Sequence, residues 1–479
     1  MNAASPTKVP KVVVAGATGF VGRALGPLLA ERFEDVRGLT RSAEVAGTQA
    51  DGYTFYEADL FSMLDCEKAL EGATHIIYLA HSMMPTARLT QGSFRDMDLI
   101  CADNMARAAR HAGVQHIIYL GGIVPADVPS DDFDAHLASK LEVERVLGAY
   151  GVPVTALRAG VIIGAQGSSF EIIRRLVRRL PRMICPGWTQ VQTQPVGIDD
   201  VVRLLAFCVG SEAVKHQHYD VGCSEAMTFR DMLARTATLM GLKRRIYNVR
   251  ERFSGVSQRF VALLTGAPRA LVRPLVEGLR HARVADDDQI YRLAGFAPQT
   301  FDDAIKTSLN AHGVERASAF RGARGSKECV VRSVQRLPLP AGRDAYWAAQ
   351  HYVRWLPGSL RPFLKIVVKG EHVSFRALLW PKPILLLQFS PDRSHPDRQL
   401  FYIRGGSLVI LKGRGRLELR EVPGEDTLIA AIHDLYPRLP WFLYVYTQAP
   451  VHKRVMLAFG RQLTKLGGAD PLTDAEREG

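Results

Sequence analysis

The feature that most constrains the fold is a glycine-rich turn that joins an apolar run to a helical segment near the start of the chain. The run Val12 to Val14 is β-branched, as in a buried strand, and glycines follow at Gly16, Gly19 and Gly22. The first two glycines let the backbone approach a bound group closely, and the third lets the next helix pack against the strand. The sequence therefore predicts a strand, a tight turn and a helix, the opening unit of an α/β fold.

Strand and helix patterns then alternate as far as residue 163. Strands are predicted at 36–40, 53–58, 74–80, 116–120 and 154–163, and helices at 64–70, 97–112 and 135–150. Because this alternation is typical of βαβ units, we expect a Rossmann fold with a doubly wound parallel sheet at 8–314. Beyond Gly164 the alternation loosens, which favours a small substrate subdomain at about 165–195 and 225–312.

The pattern changes after a polar, arginine-rich stretch at 315–328, which we interpret as a linker. Residues 329–466 combine a helix at 345–355, a hairpin expected over 400–411 across Gly405-Gly406, a strand at 416–420 and a last helix near 450–466. This order predicts a C-terminal α+β domain with an antiparallel sheet, similar in topology to a helix-grip ligand-binding domain. Residues 467–479 are interpreted as a tail.

Positive charge is concentrated in this C-terminal part. The whole chain has a formal charge of +13, and from Arg321 onward 25 lysines and arginines oppose 14 carboxylates. The asymmetry favours an anionic partner, such as a membrane surface, or a basic face kept in water for solubility. The last helix carries its cations opposite its apolar side, so it either lies on a membrane surface or covers a sheet. Nucleic acid is not expected as a partner.

Two absences in the sequence indicate the compartment. No apolar run reaches the length of a membrane-spanning helix, and the first residues lack the pattern of a signal peptide. The six cysteines lie far apart without CxxC spacing, so we expect neither a disulfide framework nor a metal site. These features favour a cytoplasmic protein.

The glycine turn also predicts what the first domain binds. Free N–H groups at a helix N-terminus attract a pyrophosphate, so a dinucleotide is expected at this turn. The predicted contacts are Gly16, Thr18, Gly19, Phe20, Val21 and Gly22.

Residues that directly follow the second and third predicted strands are candidates for contact with the adenosine part of the dinucleotide. Arg41 stands where an acidic residue would favour NAD, and a guanidinium there suits a 2′-phosphate, so NADPH is preferred over NADH. Asp59 and Leu60 follow the third predicted strand. They either contact the adenine or, through Asp59, cap the helix that begins near Ser62.

These motifs, with Leu79-Ala80-His81-Ser82-Met83 and Leu157 to Gly164, resemble the atypical and extended short-chain dehydrogenase/reductases. Within that family the chain is similar to predicted nucleoside-diphosphate-sugar epimerases and to the NmrA-like group, over about 8–312. The resemblance implies NAD(P) binding, with Ala80 and His81 near the cofactor. It also implies an oxidoreductase acting on a small molecule of anionic or lipophilic character.

The catalytic motif departs from the family pattern. The family uses a tyrosine and a lysine one helical turn apart, and here that spacing is occupied by His136 and Lys140. Gly121-Gly122 stands where a serine is expected. Lys140 is still expected to contact the nicotinamide ribose.

Three interpretations of this departure remain open. In the first, His136 donates the proton in place of the tyrosine. In the second, His81 and Ser82 supply the polar groups. In the third no hydride is transferred, and the chain is a non-catalytic NADP(H)-binding redox-responsive regulator or assembly protein.

Overall fold

The computed structural model describes residues 9–81, 89–125, 128–129, 132–249, 254–268, 272, 276, 278, 281–312, 330–359, 364–377, 382–411 and 414–467. The chain forms two compact units. One consists of Met1–Met84 and Asp98–Gly322, and the other of Pro85–Met97 and Ala323–Gly479. The second unit therefore includes a short internal segment that lies within the range 8–314 assigned to the first domain from the sequence.

The first unit is built on a large, mostly parallel sheet. Numbered along the whole chain, the strands of this sheet are β1 (Lys11–Ala15), β2 (Asp35–Thr40), β3 (Gln49–Ala50), β4 (Tyr53–Glu57), β5 (His75–Tyr78), β7 (His116–Gly122), β8 (Val154–Ala159) and β13 (Gln217–Val221). The order is β13-β8-β7-β5-β1-β2-β4-β3, and the pairs are parallel except for β3 with β4. The doubly wound Rossmann sheet expected from the sequence is confirmed. Its strand order reverses between β1 and β5, where such sheets bind ligands.

Helices of this unit follow the strands along the chain. They are α1 (Phe20–Ala30), α2 (Met63–Ala69), α3 (Phe94–Ala112, which begins in the second unit), α4 (Ala135–Gly148), α5 (Ser168–Arg179), α6 (Ile198–Cys208), α7 (Phe229–Leu239), α8 (Ser254–Thr265), α9 (Gln289–Ala294) and α10 (Phe301–His312). Val12, Val14, Ile77, Ile118 and Leu157 of the sheet are fully buried in one apolar cluster. This burial explains why the strands are continuous apolar runs rather than alternating ones.

The looser part of the first unit forms a second apolar cluster. Its short strands are β9 (Ile162–Ile163), β10 (Arg182–Cys185), β11 (Gln192–Thr193), β12 (Val196–Gly197), β14 (Met227–Thr228) and β15 (Arg245–Asn248), which pair as β9 with β12, β10 with β15 and β11 with β14. Phe170 and Ile173 of α5 pack in this cluster with Phe229 of α7 and Phe301 of α10. The cluster lies behind α5, whose first residues line a cleft at the carboxyl ends of the parallel strands.

The second unit contains the antiparallel sheet. Its strands are β6 (Leu89–Gln91), β16 (Val331–Pro338), β17 (Leu364–Lys369), β18 (His372–Ala377), β19 (Leu385–Phe389), β20 (Arg398–Gly405), β21 (Arg416–Glu421) and β22 (Thr427–Leu435), and its helices after the linker are α11 (Ala345–Ser359), α12 (Trp441–Tyr446) and α13 (Gln448–Gly467). The order is β17-β18-β19-β20-β21-β22-β16-β6, with all pairs antiparallel except β16 with β6.

One face of this sheet is covered by α11 and α13. Phe459 of α13 is fully buried and contacts Tyr352 of α11 edge to face and Trp355 at a tilt, and Leu417 and Leu419 of β21 belong to the same apolar cluster. This packing confirms the α+β domain expected from the sequence, with its order of strand, helix, sheet and long last helix. The last helix covers a sheet, and its cations remain exposed.

An internal segment of the chain completes the sheet at one edge. Strand β6 pairs in parallel with Val331 to Ser333 of β16, and the Ser333 hydroxyl donates to the side-chain oxygen of Gln91 at 3.0 Å. Five residues after Gln91, Asp96 pairs with Arg336 at 2.9 Å. Sequence patterns did not predict β6 because three residues are too few to display a period.

The prediction of a hairpin over 400–411 is wrong. Strand β20 ends at Gly405 and pairs with β19 and β21, so its partners lie before and after it in the chain. At Gly406 the backbone takes a φ of +133°, and an added Cβ would collide with the carbonyl oxygen of Ile384. Glycine at this place permits a close approach to β19 rather than a two-residue hairpin turn.

Candidate functional site

A cleft opens at the carboxyl ends of β1, β5, β7 and β8, which is the switch point of the first sheet. Its walls include the glycine turn, the residues just after β5, the Gly121-Gly122 end of β7 and the start of α5. Nine of the predicted site residues line it, namely Gly16, Gly19, Phe20, Val21, Gly22, Ala80, His81, His136 and Lys140. The predicted cofactor turn and the predicted catalytic positions therefore share one cleft.

The glycine turn has the geometry that its sequence predicted. Gly16 has a φ of +95°, and a Cβ there would lie 2.9 Å from the carbonyl carbon of Leu79. At Gly22 a Cβ would collide with the carbonyl oxygen of Gly16, so the third glycine permits α1 to begin this close to β1. Larger residues at these two positions would force the turn apart.

The N-terminus of α1 faces the cleft without a side-chain cap. Gly19 is the N-cap residue, and within the described residues it provides no side-chain hydrogen bond to cap the helix. The uncapped N–H groups and the helix dipole make this end of α1 suited to a pyrophosphate. The residues present therefore fit a dinucleotide.

Four predicted cofactor residues lie outside the lining of the cleft. Thr18 is exposed, and Arg41 directly follows β2 in an exposed position. Asp59 and Leu60 follow β4, the strand next to β2 in the sheet. Arg41, Asp59 and Leu60 thus lie at one edge of the sheet, where parallel strands end together.

The alternative prediction, that Asp59 caps the helix that begins near Ser62, is wrong. Ser62 is the N-cap residue of α2, and its hydroxyl accepts from the N–H of Asp65 at 3.3 Å. The Asp59 carboxylate accepts from the N–H of Phe61 at 3.2 Å, in a local turn before the helix. Contact between Asp59 and the adenine stays a prediction.

Lys140 lies against the glycine pair at the end of β7. Its ammonium donates to the carbonyl oxygen of Gly121 at 3.2 Å, and a Cβ on Gly122 would lie 3.2 Å from its Cδ. The missing side chain at 122 therefore makes room for the lysine. Burial, which has the largest effect, and the charge of Arg283 together lower the pKa of Lys140 to about 8, against the opposing effects of Asp98 and Asp134.

The two histidines of the cleft are neutral at pH 7. Burial, Lys140, His81 and Arg283 together lower the pKa of His136 to about 2. Desolvation within the cleft and the charge of Lys140 lower the pKa of His81 to about 4. A neutral imidazole is a poor acid, so these pKa values weigh against either ring as the proton donor. Ser82, the other member of that interpretation, lies outside the described residues.

Arg283 is a cleft residue that the sequence analysis missed. Its guanidinium pairs with the carboxylate of Asp134, which also caps α4 by accepting from the N–H groups of His136 and Leu137. Nε of Arg283 is buried and has no hydrogen-bond partner in the described part of the chain. The arginine is thus fixed at one end, while another of its donors remains available within the cleft.

Asp98 and Tyr119 were also missed. Asp98 is buried on α3 and accepts from the Ser139 hydroxyl at 3.3 Å, and Tyr119 donates to the backbone oxygen of Lys140 at 3.1 Å. Burial raises the pKa of Tyr119, so this phenol does not replace the missing tyrosine as an acid. A signal existed for Asp134, since an aspartate before a helix is a common cap, but none existed for Arg283.

Part of the chain that lines the cleft is similar to known proteins. Residues 16–178 match the NAD(P)H-binding family model. The auxiliary protein GraX of Staphylococcus aureus is 28% identical over 186 residues, which are 38% of this chain. The chain spans about half, 54%, of the length of this curated relative. These matches agree with the short-chain dehydrogenase/reductase resemblance expected for the N-terminal part.

Solved structures with similar folds have low sequence identity. An NADPH-dependent quinone oxidoreductase of Escherichia coli is 17% identical with a TM-score of 0.49, over 62% of this chain and 98% of its own. The triphenylmethane reductase of Citrobacter sp. is 18% identical with a TM-score of 0.49, over 63% and 99%. A nucleoside-diphosphate-sugar epimerase of Staphylococcus aureus is 16% identical with a TM-score of 0.48, over 62% and 99%. No argument about chemistry follows from similarities this low.

None of the described helices is both long and apolar enough to cross a membrane.

Proposed function

We propose that this chain, which carries an NAD(P)H-binding domain over residues 16–178, is an NADPH-dependent oxidoreductase that reduces a carbonyl- or quinone-type small molecule. The observation that carries the proposal is the convergence of an uncapped helix N-terminus with two cationic side chains, Lys140 and Arg283, on one cleft. The helix N-terminus suits the cofactor phosphates. The two cations suit a substrate oxygen that gains negative charge during reduction.

Lys140 is the proton donor in this proposal, in place of the absent tyrosine. NADPH supplies the hydride when bound. The ammonium of Lys140 lies at the carboxyl end of β7, and its pKa of about 8 lets it give up a proton near neutral pH. The neutral His136, one helical turn earlier, leaves this role to the lysine.

Arg283 holds the substrate oxygen in this proposal. Its bond to Asp134 fixes the guanidinium relative to α4, the helix that carries Lys140. Its buried Nε has a donor to offer inside the cleft. A hydrogen bond from a charged donor stabilises an oxyanion more than one from a neutral donor does.

Replacement of Arg283 by glutamine is expected to lower kcat/KM about tenfold to a hundredfold while the dissociation constant for NADPH stays unchanged. The reason is the loss of a charged hydrogen bond, which contributes about 1.5–3 kcal/mol. Steady-state kinetics with an accepted quinone or carbonyl substrate measures the effect. Asp134→Asn is the comparison variant, because it keeps an oxygen for the helix cap and only loosens the Arg283 guanidinium, so a smaller loss of kcat/KM is expected. An equal loss in both variants would reject direct contact between Arg283 and substrate.

Preference for NADPH over NADH is proposed to rest on Arg41. Arg41→Ala is expected to weaken NADPH binding about tenfold or more and to leave NADH binding unchanged, because only NADPH carries a 2′-phosphate for a charged hydrogen bond. Fluorescence titration with both dinucleotides measures this, and Arg32→Ala, an exposed change after α1, is the control. A variant that kept its full preference for NADPH would remove Arg41 from this role.

The alternative is a non-catalytic NADP(H)-binding regulator. It is favoured by the absence of the tyrosine and by the neutral His136 in its place. Turnover distinguishes the two functions. Tight NADPH binding without any oxidation across a broad panel of quinones, carbonyl compounds and enones would support the regulator and reject the oxidoreductase.

A further inference from the structure

The short helix α12 exposes an unusual set of apolar side chains. Tyr444 is 3% exposed and anchors the helix to the apolar core of the second unit, while Phe442 is 64% exposed and Tyr446 is 81% exposed. Leu443 is exposed beside them. Residues spaced by three and four positions share a helix face, so Phe442 and Leu443 each lie beside Tyr446. Clustered exposed aromatic residues on a protein surface mark a contact with something less polar than water.

The next helix, α13, adds positive charge without any opposing carboxylate. Its buried side is formed by residues such as Met456 and Phe459, and its exposed side carries Arg454, Arg461 and Lys465 with the exposed Leu457 between them. We call the exposed residues Phe442, Leu443, Tyr446, Arg454, Leu457, Arg461 and Lys465 the aromatic–basic face. Residues 435–467 contain no aspartate or glutamate at all.

A segment bonded to the chain just before α12 also exposes apolar side chains. Ile410 and Leu411 are exposed, and the N–H of Ile410 donates to the carbonyl oxygen of Tyr436 at 2.8 Å. The N–H of Arg438 donates to the carbonyl oxygen of Leu408 at 3.0 Å, so the two segments are tied together just before α12 begins. The exposed apolar residues of the two segments thus come from adjacent parts of the same unit.

We propose that the aromatic–basic face binds the surface of an anionic phospholipid bilayer. Exposed aromatic and aliphatic side chains enter the headgroup region, and lysines and arginines beside them attract anionic lipids. Charge complementarity selects this occupant over a second copy of the chain, because two copies of a face without carboxylates would repel each other. The contact is peripheral, and it is independent of what the cleft of the first unit binds.

Vesicle co-sedimentation of the full-length chain tests this proposal. Wild-type protein is expected to sediment with vesicles of phosphatidylcholine mixed with phosphatidylglycerol, to remain in solution with phosphatidylcholine alone, and to be released by high salt. The double variant Phe442→Ser/Tyr446→Ser and the double variant Arg454→Glu/Arg461→Glu are each expected to weaken binding at least about tenfold. Unchanged thermal unfolding shows that the variants fold, as expected for exposed positions.

Val368→Ser and Lys369→Glu are the matched controls, because both side chains are exposed on β17 of the same unit and lie outside the aromatic–basic face. They are expected to bind vesicles like the wild type. The proposal is overturned if wild-type protein ignores anionic vesicles, or if the two double variants bind as well as the controls do. It is also overturned if the wild type is a dimer by analytical ultracentrifugation and Phe442→Ser/Tyr446→Ser makes it monomeric.

Discussion

Replacement of Gly19 by aspartate is expected to weaken NADPH binding by about a hundredfold or more and to leave the fold intact. Gly19 is the N-cap of α1, with an extended backbone that any residue adopts and only the Gly16 carbonyl oxygen, at 3.1 Å, close to an added Cβ. Aspartate is a preferred N-cap, so the helix keeps or gains stability. Its carboxylate would stand beside the pyrophosphate, and like charges in contact cost several kcal/mol, which weakens binding by about a hundredfold or more.

Calorimetric titration with NADPH and thermal unfolding of the same samples measure both halves of this prediction. Gly19→Asn is the control, because asparagine caps a helix equally well and has nearly the same shape without the charge. We expect the asparagine variant to retain much more affinity than the aspartate variant. A folded aspartate variant that binds NADPH like the wild type would show that the cofactor phosphates do not meet α1.

Lys140→Met is expected to lower the rate of NADPH oxidation by about a hundredfold or more, the usual contribution of a positioned general acid. The rate of the wild type should fall as the pH rises through about 8, because the ammonium form gives the proton. The variant should lose this limb of the pH profile. Lys68→Met, an exposed change on α2, is the control and should keep both the rate and the profile.

Stability supplies an independent check on the same lysine. Because the folded-state pKa of Lys140 is lowered from its ordinary value of 10.5 to about 8, the protonated form opposes folding below pH 8. The wild type should therefore gain stability relative to Lys140→Met as the pH rises from about 8 to 10.5. Urea unfolding of both proteins across this range measures the difference. An equal response of both proteins to pH would contradict the assigned pKa.

The sheet that positions the cleft was predictable because its strands carry strong local signals. The strands predicted at 36–40 and 53–58 differ from β2 and β4 by one residue at one end, and most other predicted elements of the first unit differ by a few residues. Buried parallel strands are continuous apolar runs, and glycine turns have few alternative explanations. The cofactor end of the cleft followed from these local patterns.

The rest of the cleft depends on contacts between residues far apart in the chain. Arg283 reaches Asp134 across 149 positions, and nothing in the neighbourhood of either residue indicates the pair. The low pKa of His136 also needs the structure, because it arises from burial and from cations on other segments. A sequence motif therefore placed His136 correctly in the cleft without showing which protonation state it has.

In the second unit, too, the sequence pattern predicted a strand but not the burial of its polar side chains. Strand β21 was predicted at 416–420, where polar and apolar residues alternate, and Leu417 and Leu419 face the core. Glu418 and Arg420 are nevertheless fully buried, and the Glu418 carboxylate pairs with the guanidinium groups of both Arg420 and Arg398. Alternation predicts two different faces, but it does not predict that a polar face is covered.

The proposed reaction is tested most directly by single-turnover oxidation of the cofactor bound to the wild-type protein. The experiment is run once with ordinary NADPH and once with NADPH that carries deuterium in place of the transferred hydride. Quinones and carbonyl compounds serve as the acceptors. We predict oxidation that slows with the deuterated cofactor and is lost in Lys140→Met but not in Lys68→Met. Bound NADPH that no acceptor oxidises, or oxidation that is equally fast in Lys140→Met, would contradict the proposed reaction.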